Sequence, residues 1–173
     1  MAIYSTTDQN YEQVSYSSPG QSQHNARARK VIAVTADRTL TQKESGSLVV
    51  WDIASGATVT LPVPVAGMEF DFAVTTTITS GNAKVITDAA TTFMLGEVLM
   101  YSTATASPAG FAFNGSTHRA CTMNGTTTGA IIGTTLKLQA LPTVSATSTT
   151  STQWFITGEI VGSGTLATPA ATS

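Results

Sequence analysis

Hydrophobic and polar residues alternate most cleanly over residues 68–74, where Phe70, Phe72 and Val74 fall on one side of the chain and Glu69, Asp71 and Ala73 on the other. A period of two marks a strand with one buried face. Residues 31–35, 48–51 and 58–61 read as further strands. The pair Ser55-Gly56 turns the chain between the last two, and Pro62-Val63-Pro64 stops the third, since two prolines so close cannot both sit in a central ladder. Ser80-Gly81-Asn82 makes the next turn, and residues 84–87 leave it as a strand. Residues 88–101 carry two patterns. Asp88 is placed to cap a helix bearing Met94, Val98 and Leu99, but Gly96 would cost that helix about 1 kcal/mol, which favours a strand.

Further along, Asn114-Gly115 and Asn124-Gly125 are the strongest hairpin signals in the chain, because a type I′ turn needs positive φ at both central residues. Residues 110–113, 116–123 and 130–138 around them predict a three-strand meander, and residues 153–157 the last strong strand. Trp51, Phe70, Phe72, Phe111, Phe113 and Trp154 lie on the apolar side or at the centre of these runs and form the predicted core. The expected fold is all-β: a single β-sandwich or jelly-roll-like barrel over residues 30–162. Residues 1–29, polar and without either regular period, read as an extended N-terminal arm. Residues 163–173, rich in Gly, Ser, Thr and Ala, read as a flexible C-terminal tail. No fixed-period repeat is visible.

Composition supports the β reading. Thr occurs 32 times and Ser 17 times in 173 residues, while only 10% of positions are charged. A chain of this length is one domain, or one domain with an arm, and can bury roughly 70% of its unfolded surface without help from disulfides or metals. The single Cys121 forms no internal disulfide. A net charge of −2 lacks the basic footprint of a nucleic-acid binder. No apolar run reaches the ~20 residues of a membrane helix, and the first fifteen residues lack the charged and apolar regions of a secretory signal. The expectation is a protein made and used without translocation, with neither nucleic acid nor membrane as a partner.

Candidate chemistry is sparse, and the chain reads as non-enzymatic, with no cofactor and no metal. His118 and Arg119 lie close to Cys121, a pattern a thiol nucleophile could use, but Cys121 falls in the inward-facing class. Glu69 and Asp71 share a strand face about 7 Å apart, within the range of glycosidase carboxylates, yet paired acids on a strand are ordinarily a solvated or interface surface. Asn114-Gly115-Ser116 and Asn124-Gly125-Thr126 match the N-glycosylation pattern; the turn reading is preferred. The basic group Arg27, Arg29 and Lys30 serves equally well as a solubilising linker or as an anchor on an acidic neighbour.

The succession Leu40-Thr41, Glu44-Ser45-Gly46, Gly56, Thr60-Leu61-Pro62, Gly67, Phe70, Phe72, Ser80-Gly81-Asn82 and Trp154 resembles the β-rich head decoration, or capsid cement, proteins of tailed bacteriophages. The similarity spans residues 38–87, with a weaker echo at Trp154; Glu44 stands where the family often has Asp. The resemblance implies a structural virion protein on the outside of the capsid, made in the host cytoplasm. It would bridge capsid subunits, with the major capsid protein and itself, as a homotrimer, for partners. The arm could reach about 95 Å at ~3.3 Å per residue, against a body radius of gyration of about 14 Å. Tyr4, Tyr11 and Tyr16 would be its anchors, since Tyr offers large contact area with few rotors, and Arg27, Arg29 and Lys30 would pair with carboxylates at its root. The alternative is a receptor- or carbohydrate-binding module of a tail fibre or adhesin.

Overall fold

The computed structural model describes residues 7–8, 11–12, 29–105, 107–144 and 150–173. Strands β1 (Thr7–Asp8) and β2 (Tyr11–Glu12) form a short antiparallel pair within the arm segment. The body is an all-β sandwich of two mixed sheets around one core. Its first half is β3 (Val31–Val34), β4 (Arg38–Thr39), β5 (Leu48–Trp51), β6 (Ala57–Thr60), β7 (Glu69–Val74) and β8 (Ala83–Ile86). The second half is β9 (Met94–Ser102), β10 (Ala109–Asn114), β11 (Ala120–Met123), β12 (Thr135–Val144), β13 (Thr150–Gly162) and β14 (Ala170–Ala171). The larger sheet runs β10-β9-β13-β12-β7-β5-β3 and the smaller one β14-β11-β8-β6-β4.

From β3 to β8 the chain alternates between the two sheets, one strand in each per turn. β3, β5 and β7 are therefore parallel neighbours in the larger sheet, and β4, β6 and β8 in the smaller. Successive turns stack on each other at one rim of the winding. A Cβ at Gly56 would lie 2.5 Å from the Asn82 carbonyl oxygen, and one at Gly81 would lie 2.5 Å from that of Ser55. Both residues have positive φ, so glycine serves these turns twice, by its backbone conformation and by its lack of a side chain.

Alternation fills the core as the pattern of residues predicts. Trp51, Phe70, Phe72, Phe113 and Trp154 are buried, and Phe111 packs against them from the edge. Trp51 stacks on Phe72 at 5.4 Å, and Phe70 meets Trp154 at 5.9 Å. Offset pairs of this kind add about 0.5–1.5 kcal/mol to the burial of the rings. The segment with two patterns, residues 88–101, contributes β9, a strand.

Two expectations are corrected. The three strands around the Asn-Gly pairs form no meander: β10 pairs with β9 in the larger sheet, β11 crosses to the smaller one, and β12 returns. Gly115 and Gly125 have positive φ, but neither Asn does, so these are not type I′ turns. Each Asn instead uses its Oδ1 to hold the backbone N–H groups of the loop that follows. The second correction concerns the C-terminus, where the last strand lies beyond the expected limit of 162. Ala170 and Ala171 pair with β11, and the carbonyls of Pro169 and Ala171 accept from Thr122 and Arg119. A run of small residues reads as a tail in isolation, but it can lie flat along an open sheet edge and satisfy that edge's donors.

Candidate interface on the larger sheet

The outward face of the larger sheet is built by the residues that alternate with the core. On β7, Glu69 and Asp71 point outward. Glu69 forms an ion pair with Lys137 of β12 at 3.3 Å, and Asp71 pairs with Arg29. The two carboxylates once comparable with a glycosidase pair are thus each neutralised by a cation, in a charged stripe down the middle of the face.

Beside this stripe large apolar groups share the face with two exposed carboxylates, Glu97 and Glu159, the latter next to Leu99 in the register. On β9 the outward residues are Leu95, Glu97, Leu99 and Tyr101, and the three uncharged ones are exposed by 41%, 38% and 42%. Phe155 and Val161 of β13 stand next to Leu95 and Tyr101 in the parallel register. Next to β9 on the other side, β10 presents only Gly110, Ala112 and Asn114, so the large side chains stand proud of the edge. Large apolar groups held outward by a rigid sheet are characteristic of surfaces that meet another molecule.

A second feature adjoins this face. β12 and β13 pair from Thr135↔Glu159 to Val144↔Thr150, but β9 joins β13 only from Trp154 and β7 leaves β12 at Gln139. Four residue pairs, from Leu141↔Gln153 to Val144↔Thr150, therefore continue as a two-stranded ribbon about 13 Å beyond the sheet. No charged residue occurs between Lys137 and Glu159. An isolated two-stranded ribbon is marginal in water, and charge is the usual guard against pairing at open strand edges. At its base Gln153 Nε2 donates to the Gly115 carbonyl at 3.2 Å; beyond that pair no third strand flanks the described residues, and the sequence places no charge there.

Of the residues expected to bind a partner, Tyr4, Tyr16 and Arg27 lie outside the described residues. Tyr11 lies in β2, and its side chain also falls outside them. Arg29 and Lys30 are engaged with the body. Arg29 pairs with Asp71 and donates from Nε to the Gly46 carbonyl at 2.9 Å, while Lys30 Nζ lies 3.4 Å from Glu44. Glu44 also receives Arg38 at 2.7 Å and accepts from the Thr41 backbone N–H at 2.9 Å. The root of the arm is thereby fastened where β3, β5 and β7 begin.

The candidate catalytic groups are placed elsewhere. Cys121 is fully buried on the inner face of β11, and burial pushes its thiol up to about 12, so no thiolate forms at neutral pH. His118 sits in the loop after β10, its Nδ1 accepting from the Asn114 N–H at 3.2 Å. Among the described residues no group of three or more His, Cys, Asp or Glu side chains is placed to hold a metal.

Sequence reasoning missed both interface features. Leu95, Leu99 and Tyr101 were hidden by the competing helical pattern around Gly96, in which Leu99 counted as inward-facing. The ribbon left a signal, the long charge-free run from 138 to 158, but its projection depends on where β7 and β9 stop. Comparison with protein-family models, curated proteins and solved structures finds no match to this chain.

Proposed function

We propose that this chain is a structural virion protein that binds the outside of a phage capsid and stabilises it by bridging capsid subunits, with the major capsid protein and further copies of itself, as a homotrimer, for partners. The observation that carries the reading is the pairing of an outward apolar strand, Leu95, Leu99 and Tyr101, with the charge-free ribbon beside it. The first is held outward by the larger sheet, and the second projects from it with no third strand beside it. The candidate reactive groups weigh the same way, since Cys121 is buried and Glu69 and Asp71 are held in ion pairs. The resemblance of residues 38–87 to head decoration proteins names the kind of partner.

Imaging particles assembled with and without the protein tests the reading. Added density at regular positions on the outer shell, with greater resistance of the shell to heat or chelation, is the expected result. Density confined to fibre tips would replace it with the receptor-binding alternative, and unaltered particles would reject both.

A further inference from the structure

The two Asn-Gly pairs carry a chemistry that their turn-forming role does not use. Asn followed by Gly is the dipeptide most open to deamidation, because nothing on the glycine hinders its nitrogen. That nitrogen loses its proton to base and attacks the Asn Cγ, and the Cγ–Nδ2 bond breaks to release ammonia. Water then opens the resulting five-membered imide at either carbonyl, giving aspartate or an isoaspartate whose backbone runs through the side chain.

In the folded chain both loops oppose the first step in the same way. The Gly115 N–H donates to the Met94 carbonyl at 2.9 Å, and the Gly125 N–H donates to the Gly129 carbonyl at 2.6 Å, so each attacking nitrogen keeps its proton in a hydrogen bond. The carboxamides are held as well. Asn114 Oδ1 accepts from the backbone N–H groups of Ser116, Thr117 and His118 at 3.0, 2.9 and 3.2 Å, while its Nδ2 donates to Thr117 Oγ1 at 2.6 Å. Asn124 Oδ1 accepts from Thr126 and Thr128 at 2.9 and 3.1 Å, its Nδ2 donates to Thr127 Oγ1 at 3.2 Å, and its own N–H donates to Thr128 Oγ1 at 2.9 Å. Both Asn side chains are exposed, so access of water is not the barrier.

We infer that Asn114 and Asn124 are latent modification sites, and that opening of their loops is the gate to deamidation. The two gates differ in strength. Gly125 is buried, and a Cβ there would overlap the Ile78 carbonyl oxygen, whereas Gly115 is half-buried with only the Leu95 and Gln153 side chains nearby. Asn114 therefore reacts first. An isoaspartate formed in the open loop adds an atom to the backbone, so the cage cannot re-form around it and the opening becomes permanent.

The test is peptide mapping by mass spectrometry of the full chain, incubated folded and in urea at the same mildly alkaline pH. The folded chain is expected to form aspartate and isoaspartate at both sites at least about tenfold more slowly, a factor set by the free energy of loop opening. Within the folded sample Asn114 is ahead of Asn124. A double variant, Thr127→Val with Thr128→Val, removes two acceptors from the second cage with little change of shape. It should speed the reaction at Asn124 severalfold and leave Asn114 unchanged, in protein shown by its melting curve to be folded. Equal rates in the folded and unfolded chain, or an unmoved Asn124 rate in the folded variant, would overturn the gating.

Discussion

Glu44 joins three segments of chain through one carboxylate. Its side chain is only 13% exposed and gathers Lys30 from the root of the arm, Arg38 from β4 and the N–H and hydroxyl of Thr41. Burial alone would raise its pKa above the ordinary 4.5, but the hydrogen bonds from Thr41 and the charges of Arg38 and Lys30 outweigh it, and the net direction is downward. A carboxylate with a depressed folded pKa contributes stability that is present above its unfolded value and is lost as pH falls through the folded one. Glu44→Gln should cost about 1 kcal/mol at neutral pH by urea denaturation. The gap to the parent should close as pH drops below 4.5. A penalty that persisted undiminished in acid would mean that shape, not charge, is what the site needs. Cys121 offers a complementary check, since a fully buried thiol raised to about 12 should resist thiol reagents at pH 8 and react at once when the chain is unfolded. Prompt labelling of the folded protein would contradict the placement of β11. Such residue-scale features were only half legible in the sequence. Alternation placed Cys121 inward because period two decides faces, but it could not pair Glu44 with Arg38 and Lys30, whose meeting depends on how turns of the winding stack.

At the scale of elements, faces were easier to read than partners. β7 and its buried aromatics followed from the alternation of residues 68–74, and the turns at Gly56 and Gly81 from their dipeptides. Which strand each would adjoin did not follow. A strand shows its burial in its own residues and its direction only in its neighbours, and the loops that return each turn of the winding differ in length, leaving no repeat to detect. The Asn-Gly pairs misled for a related reason: the local signal fits a hairpin, and the cage of N–H groups around each Asn lets the chain cross between sheets instead. The ribbon beyond β7 and β9 provides the test at this scale. Replacing residues 142–152 with a two-residue Asn-Gly turn removes pairs that touch no third strand. The melting temperature should stay within about 2–4 °C of the parent, the shift expected of 1 kcal/mol in a chain this size. Attachment to capsids, under the proposed function, should weaken. A large loss of melting temperature would instead make the ribbon part of the body's own support, and would leave the exposed face of β9 and the arm as the candidate surfaces.

For the whole molecule, the distribution of charge separates the body from what precedes it. Arg29 and Lys30 were expected to reach a partner's carboxylates, yet both are held by the body's own Asp71 and Glu44. Reversing their charge would therefore disturb the fold and the attachment together, and could not distinguish them. Arg27, Tyr4, Tyr16 and the side chain of Tyr11 lie outside the described residues and are tested by truncation. Removing residues 1–28 leaves Arg29, Lys30 and the edge strand β3 in place, so the urea midpoint should be unchanged. Under the proposed function the arm contributes contacts on a neighbouring subunit, where tyrosines bury large area at small entropic cost. The truncated protein should then sediment with capsids less readily than the full chain. Arg27→Glu in the full chain should show a smaller loss that grows as salt is lowered, because screening hides a surface charge beyond roughly 10 Å at 0.1 M. If the truncated body decorates capsids with unchanged affinity while its urea midpoint holds, bridging by the arm is excluded, and attachment must rest on β9 and the ribbon alone.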